Sequence, residues 1–220
     1  MNAMINVARY HLVQPVLFVT LPLAVLAGVF AVNAAQGGDK AFRDGLVVSF
    51  GMFFVMGLER AGGRWLPFGL ALGATRRSFY AGTALLGVSM SLVYGLVIAG
   101  LQAIERATGG WGLSITFFRV PYLLNGPWYA TWLTSFAGLS ALFVYGMWYG
   151  IVNRRWGMLG LLAFVAVQVP AGIAVAFART WSGVGGPHPS LSALDLTGVI
   201  AALTVVILAG GHATIRRVTV

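Results

Sequence analysis

The sequence predicts an all-α polytopic membrane protein. A single domain over residues 1–220 carries six transmembrane helices, places both termini in the cytoplasm, and has a short cytoplasmic helix between spans two and three. Three observations carry this reading. Hydrophobic residues make up 59% of the chain and charged residues 9%, with mean hydropathy +0.86; a soluble domain carries about 25% charged residues, so lipid must cover much of this surface. The apolar residues form continuous runs of about 20, the length that crosses about 30 Å of hydrocarbon. Backbone in hydrocarbon must satisfy its own hydrogen bonds, which leaves helices or a closed barrel, and unbroken rather than alternating runs select helices. Finally, Lys and Arg collect at the ends of the runs. With the N-terminal side taken as cytoplasmic, that side holds nine of them (Arg9, Arg60, Arg64, Arg76, Arg77, Arg154, Arg155, Arg216 and Arg217) and the other side five (Lys40, Arg43, Arg106, Arg119 and Arg179). This is the positive-inside bias.

In chain order, the first span covers about 15–34, with Pro22 as a kink point. It is read as a retained helix, because no small-residue cleavage site follows it. The second, about 42–58, is the shortest, and Glu59 and Arg60 close it. The third covers about 79–101, the fourth about 131–152 and the fifth about 158–177, with a tight cytoplasmic turn at Asn153-Arg154-Arg155 between the last two. The sixth covers about 194–213 and opens on Asp195, an acid suited to a helix start. The outer link from 102 to 130 contains "ITFFRVPYLLNGPWYATW". Trp and Tyr favour the headgroup level, so this link is expected to lie on the membrane surface or fold back into the membrane. The outer stretch "RTWSGVGGPHPSLSALD" is turn-rich.

Composition excludes several functions. The formal charge of +9 is spread over span ends, which argues for lipid headgroups and against nucleic acid. The chain has no Cys, hence no disulfide and no thiolate chemistry. His11, His188 and His212 lie in no ligand spacing, so no metal is expected. No G-x-x-x-x-G-K-[ST] loop is present, so the chain does not hydrolyse ATP itself. Its five acids form no paired-carboxylate motif, and the chain is not read as an enzyme. Gln168, near Pro170 inside the fifth span, either lines a pathway or hydrogen-bonds a neighbouring helix.

One segment calls for a function of its own. "LPFGLALGATRRSFYAGT", residues 66–83, joins two greasy runs where a tight polar loop would suffice. Pro67 suits the first turn of a helix, Gly73 a helix end, and Thr75 the N-cap of the next helix, which then begins at Arg76. An Arg pair at a helix N-terminus opposes the macrodipole, so something else retains Arg76 and Arg77. Two readings stand: an interfacial helix with a positive-inside anchor, or a docking element for a soluble partner. Glu59 either reaches water at the span end or pairs with an Arg of this segment, with Arg60 as the neighbouring charge.

The link of an apolar helix, then small-[ST]-R-R-x-[FY], then Gly, resembles that of ABC-2 type ABC exporter permeases in their small six-span form. "LGATRR" is also similar to the link of four-span, macrolide-exporter type permeases, whose large extracytoplasmic domain this chain lacks. The resemblance implies that residues 66–72 form a coupling helix. Leu66, Phe68 and Leu72 would belong to the part that couples to the ATPase, and Thr75, Arg76, Arg77, Phe79 and Tyr80 would form the elbow into span three. It implies a P-loop ATPase partner that holds the ATP and Mg, and a second permease chain, identical or related. It further implies a bacterial plasma-membrane location and a hydrophobic or amphipathic cargo such as a drug, lipid or peptide. The alternatives are a secondary transporter, for which paired broken helices are missing, and a scaffold or lipid-acting enzyme that works through the 102–130 link.

Overall fold

In the computed structural model the described residues are 19–35, 45–63, 65–71, 73–113, 115–119, 124, 126–181 and 193–215. The first four residues of the first predicted span, Leu72 and both chain termini lie outside them. Among the described residues all regular structure is helical: α1 Leu21–Ala35, α2 Gly45–Gly62, α3 Trp65–Ala71, α4 Arg76–Ala107, α5 Trp128–Trp181 and α6 Ala193–Ile215. Three stretches are long and apolar enough to cross a membrane: Arg76–Ala107, Trp128–Gln168 and Thr197–Ile215. A fourth is counted if α2 and α3, bent by 43° at their junction, act as one span.

Helix α5 is two helices joined at a sharp kink, where the chain reverses direction. Gly157 has φ 65° and ψ −163°, a region that only glycine occupies readily. Trp148 and Tyr149 meet Phe164 with ring centroids 4.9 and 5.0 Å apart. In a straight helix these residues would be separated by more than 20 Å at about 1.5 Å per residue. Residues 128–156 and 158–181 are therefore the arms of an antiparallel hairpin. The expected turn at Asn153-Arg154-Arg155 is corrected to Gly157. Those three residues stay helical, because the positive φ sits on the one residue without a Cβ. Glu59 and Arg60, expected to close the second span, also lie inside a helix, since α2 runs on to Gly62.

The hairpin is the hub of the bundle. It packs against α2, α4 and α6, while α1 packs on α2, and α3 on α2 and α4. Glycines set how closely α2 approaches it. A Cβ on Gly62 would lie 2.8 Å from Gly150 Cα, and one on Gly150 would lie 2.6 Å from both Gly62 N and Leu58 O. Gly57 meets the backbone of Phe143 and Met147 in the same way, and Gly146 that of Phe54 and Leu58. Between apolar helices in lipid no hydrophobic drive remains, so close van der Waals contact through small residues holds them together. Polar side chains add cross-links. Thr134 and Thr197 hydroxyls lie 2.8 Å apart between α5 and α6, and Trp132 Nε1 donates to Leu92 O at 3.3 Å between α5 and α4. The hydroxyls of Thr83, Ser91 and Thr204 donate to backbone carbonyls of their own helices, to Phe79, Gly87 and Ile200 respectively, so burial leaves none of the three unsatisfied.

Contacts also sort the helix ends. Arg154 Nη1 donates to Gly63 O at 3.1 Å, and Tyr80 OH to Leu208 O at 2.9 Å. The C-terminal end of α2, the start of α4, the hairpin corner and the C-terminal part of α6 thus share one end of the bundle. That end gathers Arg60, Arg76, Arg77, Arg154 and Arg155. The opposite end holds the close of α4, the link that follows it, and Phe30 of α1.

Candidate functional site

The basic end is built around α3, a helix of seven residues with Pro67 in its first turn. One face is buried: Leu66 is 0% exposed, and the missing side chain of Gly69 admits the Phe79 ring, whose Cδ2 would lie 2.7 Å from a Cβ there. The other face presents Phe68, 51% exposed. The helix ends in a Schellman motif. Gly73 takes φ +84°, its N–H donates to Leu70 O at 2.9 Å, and Ala74 N–H donates to Gly69 O at 3.0 Å. Two residues later α4 begins. Thr75 is its N-cap, with Oγ1 accepting from Ser78 N–H at 3.1 Å, while Ser78 Oγ donates to Thr75 O at 2.9 Å. Both caps stand where their residue types place them in the sequence.

This elbow is tied to its surroundings at three points. The fully buried Arg60 guanidinium sits 3.9 Å over the Trp65 ring, a cation–π contact that strengthens on desolvation. Phe79, 1% exposed, packs under α3. Tyr80 reaches α6, donating to Leu208 O and lying 5.8 Å from the His212 ring. Glu59 and Arg60 part company, the first exposed and the second buried. Arg76 is half-buried and Arg77 exposed. An open cleft of about 640 Å³ runs between the end of α2, the exposed face of α3 and the hairpin corner. Pro67, Phe68 and Ala71 line one wall, and Gly62, Gly63 and Arg154 the other. It is largely apolar with one cation at its edge, a shape suited to an apolar side chain beside an acidic group.

Gln168 belongs to the hairpin. Its Oε1 accepts from Tyr145 OH and, at 3.1 Å, from Tyr149 OH. Of the two roles open to it in the sequence, these bonds are those of a residue that ties neighbouring helices.

At the opposite end the described part of the link after α4 packs back onto the helices. Its anchor is Glu105, 1% exposed, which sequence reasoning passed over as one isolated acid. Glu105 Oε2 accepts from Phe118 N–H at 2.9 Å, Phe117 N–H at 3.1 Å and Trp111 Nε1 at 3.2 Å. Gln102 adds a second tie, donating to Leu124 O and accepting from Thr131 Oγ1 at 2.8 Å. Residues Gly109, Gly110, Trp111 and Gly112 all have positive φ, and Trp111 is the one non-glycine among them, at 63°. A left-handed backbone costs a residue with a Cβ roughly 1–2 kcal/mol. The strain is held by the indole bond to Glu105, by Trp111 N–H donating to Thr108 Oγ1 at 2.9 Å, and by Phe30 of α1, whose ring lies 5.1 Å from Trp111 and 5.6 Å from Phe117. Beside this cluster an apolar crevice of about 440 Å³ opens between α1 and α4. A signal that could have found it is a Glu one turn before Gly-Gly-Trp-Gly, close to the end of a spanning run.

Neither family models, nor characterised proteins, nor solved structures give a match to this chain.

Proposed function

We propose that this chain is the membrane-spanning permease subunit of an ATP-driven ABC exporter. It would have six spans with both termini cytoplasmic and reside in a bacterial plasma membrane. The observation that carries the reading is the elbow: α3 is locked on one face by Leu66 and Gly69, capped at Gly73 and Thr75, and presents Phe68 beside an open cleft. A mere headgroup anchor needs no such rigid continuation into a spanning helix. In this reading a P-loop ATPase holds ATP and Mg and seats an apolar side chain in the cleft. Its closure moves α3, and the packed Phe79 and Tyr80 pass that movement into α4 and α6. Two permease chains face each other, and a hydrophobic or amphipathic substrate moves between them. ATP drives the change only through its different affinities for the two states.

The test is co-purification of the tagged chain from mild detergent out of cells that express all native partners. A P-loop ATPase comes down with the parent and is lost from the Phe68→Asp and Arg76→Glu/Arg77→Glu variants, which still insert. If no ATPase accompanies the parent chain, the exporter reading fails and the Arg pair is an anchor.

A further inference from the structure

We propose that the crevice between α1 and α4 binds one aliphatic chain of an anionic membrane amphiphile, with Trp111 as its roof and Glu105 as the residue that positions the roof. The site stands whether or not an ATPase docks on α3. Its walls are apolar throughout: Leu26, Ala27 and Phe30 from α1, Val97 and Leu101 from α4, and Trp111 above. Its volume of about 440 Å³ falls in the range of small-ligand sites, about 300–1,000 Å³. Such walls offer nothing to a polar guest and match a hydrocarbon chain.

The bilayer is the source, because the crevice is continuous with the face that lipid covers. Its rim residues Leu23 and Val97 are 40% and 36% exposed, and the adjoining α4 stripe of Val93 and Leu96 is more than half exposed. An alkyl chain enters sideways without leaving hydrocarbon. The roof is held at the expense of local strain. Trp111 sits in a left-handed run, and its indole N–H is committed to a buried carboxylate that also collects the Phe117 and Phe118 amides. One side chain thereby fixes both Trp111 and Phe118 against Phe30. Loop 108–119 carries a single formal charge, Arg119, which is exposed one residue beyond the lining Phe118. An exposed cation next in sequence to a lining residue, with Glu105 itself buried, favours an anionic headgroup.

The experiment uses the full chain in nanodiscs of phosphatidylcholine doped with phosphatidylglycerol that carries a diazirine on one acyl chain. After photolysis, adducts are mapped by peptide mass spectrometry. Adducts on peptides 23–30 and 97–101 should exceed those on the exposed α6 residues Val205 and Val206 by roughly tenfold, the ratio that a decade in affinity produces. Ala27→Trp, which fills the crevice from an exposed position, should abolish the excess. Glu105→Gln should reduce it while labelling of α6 stays constant, a selective loss that general unfolding would not give. Should Glu105→Gln fail to fold, Ala27→Trp still decides the site. Equal labelling of crevice and α6, or an excess that survives Ala27→Trp, overturns the site. The same probe on a phosphatidylcholine headgroup, if it labels equally, overturns the anionic preference.

Discussion

Glycine is where single residues decide most in this bundle, and its roles divide sharply by position. At Gly150 an added side chain meets the backbone of Gly62 and Leu58, which cannot swing aside as a flexible side chain can. Gly150→Val should therefore separate α2 from the hairpin at an overpacking cost of about 1–3 kcal/mol. In detergent it should lower the unfolding midpoint clearly. At Gly28 and Gly100 a Cβ meets nothing within 4 Å. Gly→Ala at either position should be neutral or stabilising by up to about 1 kcal/mol, since only helix entropy changes. Equal effects at Gly150 and Gly28 would mean that the α2–α5 seam is not tightly packed. The G-x-x-x-G spacing at Gly146 and Gly150 was present in the sequence. It was hard to weigh there because the chain holds 30 glycines, and spacing alone does not say which of them face a partner helix.

Elements were legible where their signals are local. The Schellman glycine and the Thr75 cap each depend on residues within a few positions, so Pro67, Gly73 and Thr75 announced α3, its end and the start of α4. Each can be tested alone. Gly73 has open space around its missing Cβ but φ +84°, so Gly73→Ala should cost about 1–2 kcal/mol through backbone strain. Thr75→Ala removes the acceptor for Ser78 N–H and should cost about 0.5–2 kcal/mol. Both should appear as local fraying, read as faster amide exchange over residues 73–79 with α6 unchanged. Exchange that rises equally across the bundle would show the elbow to be no separate unit. The folded 108–119 link was less legible because its order comes from afar: Glu105 gathers amides 12 and 13 residues on, and Phe30 arrives from another helix. The aromatic run hinted at burial but could not name the carboxylate that organises it. The hairpin corner was misplaced for a related reason. Asn153-Arg154-Arg155 is polar and looks like a loop, yet the backbone reverses only where a glycine accepts the conformation.

At the scale of the whole molecule, charge and contact agree on polarity. Interhelix contacts bring the end of α2, the start of α4, the hairpin corner and the end of α6 together, and these carry Arg60, Arg76, Arg77, Arg154 and Arg155. The opposite end carries Arg106, Arg119 and, near the close of the second hairpin arm, Arg179 among the described residues. Under the positive-inside rule this excess is what the proposed reading, with the elbow in the cytoplasm, requires. Because the chain has no Cys, single cysteines introduced at exposed or half-exposed positions report side without background. Thr108→Cys, at the end of α4, should react with a membrane-impermeant maleimide in intact cells. Arg77→Cys and the hairpin-corner variant Arg155→Cys should react only after permeabilisation. The two basic-end positions must behave alike, since contacts place both at one end of the bundle and Thr108 lies at the other. Opposite labelling of Arg77→Cys and Arg155→Cys would break the bundle itself, whereas joint labelling from outside would keep the bundle and invert it. Inversion would remove α3 from any cytoplasmic ATPase and with it the exporter reading, but would leave the apolar crevice intact in the other leaflet.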